Sequence, residues 1–230
     1  MLEDLKREVL EANASIETQG LAKLTWGNVS GIDRARGLIV IKPSGVAYSR
    51  LKPDDMVVVD LDNHKVEGTL RPSVDTITHV MLYRAFAGIG GVVHTHSTCA
   101  VAFAQALREI PCLGTTNADH FLGTIPLTRN LTAKELEDDY EGNTGKVILE
   151  RFAGLNPLDM PAVLVAHHAP FVWGKSAGDA LKNAVALENV AAMALQSYAL
   201  NPELKAIPDF VLNAHYTRKH GPNPRYGQEK

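Results

Sequence analysis

Gly90-Gly91-Val92-Val93-His94-Thr95-His96-Ser97 is a short apolar run that closes on two histidines one residue apart. The Val-Val pair favours a strand over a helix, and alternation of side chains along a strand puts His94 and His96 on one face. Two imidazoles so placed can reach one metal ion. Ser97 opens a helical pattern, so the pair sits at the carboxyl end of its strand, where open α/β sheets gather their ligands. A His-x-His pair alone is more often a core or surface feature, and a metal site needs further ligands.

A second apolar run, 162–166, ends in His167-His168-Ala169-Pro170. Neighbours on a strand point opposite ways, so one of the two histidines faces the site. Three histidines with a carboxylate or water are a recurrent zinc or divalent-metal set. Asp75 stands where it would cap the helix that follows, or where a carboxylate could serve metal binding or acid/base chemistry. Ser73 beside the same helix start suits a phosphate. Lys42-Pro43-Ser44-Gly45 offers an ammonium, a hydroxyl and a permissive glycine, which are the parts of an anion nest and equally of a plain turn. Asp119, in the polar stretch 114–120, reads as a turn residue or a catalytic acid. The basic tail 218–228 reads as a frayed end or as a flap carrying Arg225 and Tyr226 over an anionic ligand.

The bulk numbers suit a small ligand. With 230 residues, 45% of them apolar, the chain is expected to form one domain over 1–230. A net charge of −3 argues against nucleic acid or an anionic membrane as the main partner. Two cysteines, no apolar leader and no uninterrupted apolar tract long enough to span a bilayer suit a cytoplasmic protein. Cys99 has no basic neighbour and reads as core.

Periodicity predicts a docking helix over 2–16 ended near Gly20, a hairpin of strands 24–32 and 38–42, and a central strand over 56–61. A helix follows Asp75 with Ile77, Val80, Met81 and Ala85 on one stripe and Gly88 as its stop. Further helices are expected over 98–107, 176–200 and 209–219, the second with Leu181, Val185, Glu188, Ala192 and Leu195 along one face. The charged stretch 131–140 reads as a solvated helix or lid, and 146–152 as another short helical piece. His79 is assigned no chemistry.

Taken together, Thr25-Trp26-Gly27-Asn28-Val29-Ser30, Lys42-Pro43-Ser44-Gly45, Arg71-Pro72-Ser73, Asp75-Thr76, His94-Thr95-His96-Ser97, Gly114-Thr115-Thr116, His168 with Pro170-Phe171 and Tyr226-Gly227-Gln228 resemble the class II aldolase and adducin-like family from end to end. The order is most similar to that of its sugar-phosphate 4-epimerases. The resemblance implies a three-layer α/β/α sandwich with a central mixed, largely antiparallel sheet. It also implies a homotetramer with sites between subunits, and a divalent metal, usually Zn²⁺, with Mn²⁺ or Co²⁺ as alternatives. By position, His94, His96 and His168 match the metal ligands, and Asp75 the fourth metal-site position. Gly27, Asn28, Ser44, Gly45, Ser73 and Val74 match substrate or phosphate contacts, with Lys42 alongside. Asp119 and Tyr226 match the two acid/base residues.

The implied reaction converts L-ribulose 5-phosphate to D-xylulose 5-phosphate by breaking and remaking the C3–C4 bond, because a C4 bearing only a hydroxyl cannot be deprotonated to a stable carbanion. The two epimers present that hydroxyl on opposite sides, which calls for one acid/base group on each. Val74 stands where a second serine is expected, Asn117 and His120 flank Asp119 in place of His and Tyr, and Ala169 replaces a glycine. The rival activities are an aldolase acting on fuculose or rhamnulose 1-phosphate and a non-catalytic adducin-like interaction module.

Overall fold

The computed structural model describes residues 2–225. Seven strands, β1 (Asn28–Asp33), β2 (Leu38–Ile41), β3 (Val57–Asp60), β4 (Lys65–Glu67), β5 (Gly91–His94), β6 (Ala162–Leu164) and β7 (Pro170–Gly174), form one sheet in the order β4-β3-β2-β1-β5-β7-β6. Every pairing among them is antiparallel. The only parallel contact among the described residues is an isolated bridge between Leu127 and Leu164 of β6, so the sheet is antiparallel throughout its named strands, as expected of a largely antiparallel sheet.

Helices cover both faces, as β1 makes plain. Gly31 faces helix α1 (Glu3–Thr18): a Cβ there would lie 2.8 Å from Leu5 and 3.0 Å from Val9. Its neighbour Ser30 points the other way, to His79 and Tyr83 of α2 (Thr76–Ala85). Gly31, Gly91 and Gly174 are cross-strand partners on β1, β5 and β7. A Cβ on Gly91 or Gly174 would strike the backbone at the start of α6 (Ala177–Leu200) at 2.3–2.5 Å, so this row lets α1 and α6 settle close to the sheet.

Several elements differ from their sequence expectations, and each difference has a physical reason. β1 starts at Asn28, not Leu24, because Leu24 and Gly27 both have positive φ and turn the chain. β3 lies next to the edge, flanked by the short polar strand β4. In α2 Val80 is buried as expected, together with Thr76, His79, Leu82 and Tyr83, while Ile77 and Met81 are half-buried and Ala85 is exposed; His79 and Tyr83 both bond to Ser30, which holds a polar stripe inward. α2 closes at Phe86, ahead of Gly88. α6 buries mainly alanines, from Ala177 and Ala180 to Ala191 and Ala194, leaving Leu195 on the surface.

Three further helices lie between β5 and β6: α3 (Thr98–Gln105), the single turn α4 (Thr115–Ala118) and α5 (Ala133–Arg151). α5 joins what read as two separate pieces and is broken at Asp139 (φ −166°, ψ 89°). A last helix, α7 (Asp209–His220), packs on α4 and buries none of its residues. No described helix is long and apolar enough to cross a membrane.

Candidate metal centre

Sheet register builds the site. Asn28, His94 and Phe171 are cross-strand partners at one end of β1, β5 and β7, and Lys42 follows the last residue of β2 at the same end. The start of β1 is pinned by buried Asn13, which accepts from the Val29 N–H (2.9 Å) and donates to the Val29 carbonyl (3.0 Å).

His94 ends β5, and His96 lies two residues on, already outside the strand. His168 reaches the same point by a different route from the one expected. β6 and β7 form an antiparallel hairpin whose tight turn contains both histidines, closed by bonds from Val165 N to Ala169 O and from His168 N to Val165 O. His167 sits exposed in the left-handed region (φ 59°), and His168 turns inward. The three rings form a near-equilateral triangle, with centroids 5.0 Å (His94–His96), 4.9 Å (His94–His168) and 5.1 Å (His96–His168) apart. One nitrogen from each lies within 4.8 Å of the others.

These residues fit a divalent cation. The Nδ1 of His94 donates to the Pro170 carbonyl (3.0 Å), which leaves its Nε2 lone pair free to face the triangle. His168 Nδ1 is buried and meets no hydrogen-bond partner. Burial, then the neighbouring imidazoles, lower His168 to about 3, and burial and His94 lower His96 to about 4. Both are therefore neutral at physiological pH, the form that binds metal.

Asp75 does not cap α2: its side chain makes no capping bond. Its Oδ2 instead accepts from Asn28 Nδ2 (2.7 Å) and from Ser73 Oγ (3.3 Å). Burial works to raise its carboxyl, but the rings of His94 and His79 and the Asn28 amide outweigh it and hold the group below its ordinary value. The mutually close donor atoms belong to the three histidines, with Asp75 beside them in the same cavity. Because the Asn28 amide is spent on Asp75 and Ser73, its Oδ1 stays buried and unpartnered, an acceptor left for a ligand hydroxyl.

The lining of the same cavity also carries a cation. Lys42 is 2% exposed, and its ammonium meets only the Pro43 carbonyl (3.4 Å) and the face of Tyr48 (5.0 Å). No acid pairs with it among the described residues, and burial lowers it to about 8. The Lys42–Gly45 turn is stitched to 71–73 by bonds from Ser44 N to Arg71 O and from Ser73 N to Lys42 O, so the Ser44 amide is not free for an anion. Ser44, Gly45 and Val74, the last 64% exposed, stand at the mouth. Gly27, with φ +80°, lies so close to His94 that a Cβ would meet its carbonyl oxygen at 2.6 Å.

Two wall residues escaped the sequence reading. Tyr140 and Glu141 line the cavity because α5 breaks just before them. Asp139 Oδ1 accepts from Gly142 N (3.1 Å) and Thr78 Oγ1 donates to Glu141 O (2.6 Å), so the break is capped and anchored. An aspartate three residues ahead of a glycine, inside an otherwise continuous helical stretch, was the available signal.

Asp119 stands apart from this cavity. It follows α4 and is held by Arg218 (3.0 Å) and His215 (3.2 Å) of α7; burial raises its carboxyl, but those two partners outweigh it and keep it below its usual range. Tyr226 lies outside the described residues. Burial and Glu188 push the Cys99 thiol up to about 11, in keeping with a non-nucleophilic role.

A profile of the class II aldolase and adducin N-terminal domain matches residues 7–195. The chain belongs to the class II aldolase and adducin family. Within the family, L-ribulose-5-phosphate 4-epimerase UlaF of Salmonella paratyphi B is 55% identical over 228 residues, covering 99% of this chain and all of that protein. Among solved family structures, an L-fuculose 1-phosphate aldolase superposes with a TM-score of 0.81 at 24% identity, over 95% of this chain and 97% of its own. The L-fuculose-1-phosphate aldolase of Thermus thermophilus gives 0.66 at 23% identity, over 88% and 98%. At these identities the two structures speak for the fold, and the antiparallel sheet with helices on both faces agrees with them.

Proposed function

We propose that the chain catalyses the metal-dependent C4 epimerisation of L-ribulose 5-phosphate to D-xylulose 5-phosphate. The observation that carries this reading is a single cavity lined both by the three-histidine cluster and by a buried lysine with no acid partner among the described residues. Such a site suits a substrate with oxygen donors at one end and a phosphate at the other, and the name of the Salmonella relative selects which sugar phosphate.

Lys42 supplies the charge that fixes the phosphate, with the Ser73 hydroxyl, the mouth residues Ser44 and Gly45 and the start of α2 around it. The Asn28 Oδ1 accepts from a substrate hydroxyl. A divalent cation held by His94, His96 and His168, with Asp75 beside it, would supply Lewis acidity that stabilises negative charge developing on the substrate oxygens. The zinc ion is the first choice for this donor set.

The C4 hydroxyl gives its proton to a base as the C3–C4 bond breaks, the bonding pair staying with C3. Glycolaldehyde phosphate, tethered by its phosphate, turns over, C3 re-attacks the opposite face, and the new C4 oxygen takes a proton. Asp119 and Tyr226 serve as the acid/base pair, one on each side. Because Asp119 stands off the cavity of its own chain, we assign it to the site of a neighbouring subunit in a homotetramer. Val74 replaces a phosphate-directed hydroxyl with an exposed isopropyl group.

Incubation of the zinc-loaded protein with L-ribulose 5-phosphate tests the reading. Formation of D-xylulose 5-phosphate supports it. No conversion, with release of dihydroxyacetone phosphate from L-fuculose or L-rhamnulose 1-phosphate, would assign the aldolase reaction instead.

A further inference from the structure

Lys42 and the loop carrying Trp26, Gly27 and Asn28 come from different parts of the sheet end, yet one buried side chain touches both. Tyr48, 3% exposed, lies with its ring 5.0 Å from the Lys42 ammonium. Its hydroxyl is directed to the carbonyl oxygens of Trp26 (2.5 Å) and Gly27 (2.9 Å). Burial, followed by Glu17, drives the phenol well above its ordinary range, so it stays a donor. The held loop abuts the centre directly: the Trp26 ring lies 6.1 Å from His96, Gly27 packs against the His94 backbone, and Asn28 bonds to Asp75.

We propose that Tyr48 is a positioning residue that ties the cationic end of the cavity to its histidine end, its ring seating the Lys42 ammonium and its hydroxyl clamping the Trp26–Asn28 loop. A buried ammonium without a carboxylate needs a partner that holds it without neutralising it, and an aromatic face does so while leaving the charge for an anion. The hydroxyl arm sets the loop carbonyls, and through them the distance between anion seat and metal centre. The kinetic readout rests on the epimerase reading; the binding and fluorescence readouts do not.

The two arms separate by substitution in the zinc-loaded protein. Tyr48→Phe keeps the ring and removes the clamp; Tyr48→Leu removes both. Inorganic phosphate is the binding probe, acrylamide quenching of Trp26 fluorescence reports the loop, and metal content is measured throughout. Tyr48→Leu is expected to weaken phosphate and raise KM about tenfold. Tyr48→Phe is expected to leave phosphate affinity within about twofold while Trp26 quenches more readily and kcat falls about tenfold. Both should keep wild-type metal content.

Equal losses of phosphate affinity in the two variants, or no change in either, would overturn the proposal, as would failure of the wild-type protein to bind phosphate. Should Tyr48→Leu not fold, Tyr48→Phe decides alone: retained phosphate affinity with greater Trp26 quenching supports the clamp, and unchanged quenching refutes it. If the wild-type protein binds phosphate but leaves L-ribulose 5-phosphate unchanged, the epimerase reading fails and the binding and quenching results still judge Tyr48.

Discussion

The imidazole of His94 lies flat on the ring of Phe171, with centroids 4.4 Å apart and planes 19° apart. The two are cross-strand partners on β5 and β7, and the residue before Phe171 takes the His94 Nδ1 hydrogen bond. Strand pairing thus fixes both the plane and the tautomer of one candidate ligand. Phe171→Leu is expected to weaken metal binding by about tenfold and to cost about 1–2 kcal/mol of stability. Metal affinity by competition with a chelating dye checks this; unchanged affinity would show that the hydrogen bond alone orients the ring.

Behind Phe171 lies His79, fully buried, bonded through Nδ1 to Ser30 Oγ (2.7 Å) and packed edge-on against the Phe171 ring. Burial lowers it to about 3. The unfolded chain, with an ordinary histidine near 6.5, therefore binds a proton that the folded one refuses between about pH 3 and 6.5. Stability in this window rises with pH and is lost on acidification, at up to about 1.4 kcal/mol per pH unit from this group. Denaturation of the metal-free protein at pH 7 and pH 5 should show a smaller loss for His79→Gln than for wild type. Equal losses would remove His79 as a cause.

Lys42 is a site where binding and stability oppose each other. Burial without an acid partner lowers it to about 8, so its charge, and with it the proposed phosphate binding, is expected to fade as pH rises through 8. KM for L-ribulose 5-phosphate should climb above that pH. Lys42→Met, which removes the buried charge, is expected to stabilise the fold by roughly 1–2 kcal/mol while weakening phosphate by about a hundredfold. A destabilised variant would mean that the ammonium contributes more to the fold than its burial costs.

If Asp119 serves a neighbouring subunit, inactive chains can rescue one another. Asp119→Asn and His96→Asn proteins, each inactive alone, should regain about a quarter of wild-type activity when refolded as an equal mixture, because mixed interfaces assemble intact sites. Mixing without any regain would place both residues in the same chain's site.

Local chemistry was readable in the sequence, and long-range geometry was not. His94 follows from its strand, whereas His96, expected on the same strand face, lies beyond the strand's end and reaches the same cluster from the segment after it; the Lys42–Gly45 turn follows from its residues. His168 was found for a reason that does not hold: it is delivered by a hairpin turn, since β7 begins at Pro170, whose missing N–H is tolerated at a strand's first residue. Asp75 looked like a cap because a helix does start there, but Asn28 and Ser73, 47 and 2 residues away in sequence, claim its carboxylate. Tyr140 and Glu141 reach the cavity only through the break at Asp139, which no apolar period records. The stripe read for α2 holds at Val80, but His79 and Tyr83, bonded to Ser30, are buried beside it in place of Ala85.

The central claim is that three imidazoles hold one cation on which the chemistry depends. Zinc titration of metal-stripped wild-type protein, beside His94→Asn, His96→Asn and His168→Asn, tests it most directly. One tight site per chain, weakened about a hundredfold or more by each substitution, is the predicted result. Tight binding that survives any one of the three, or no stoichiometric binding by the wild type, would contradict it.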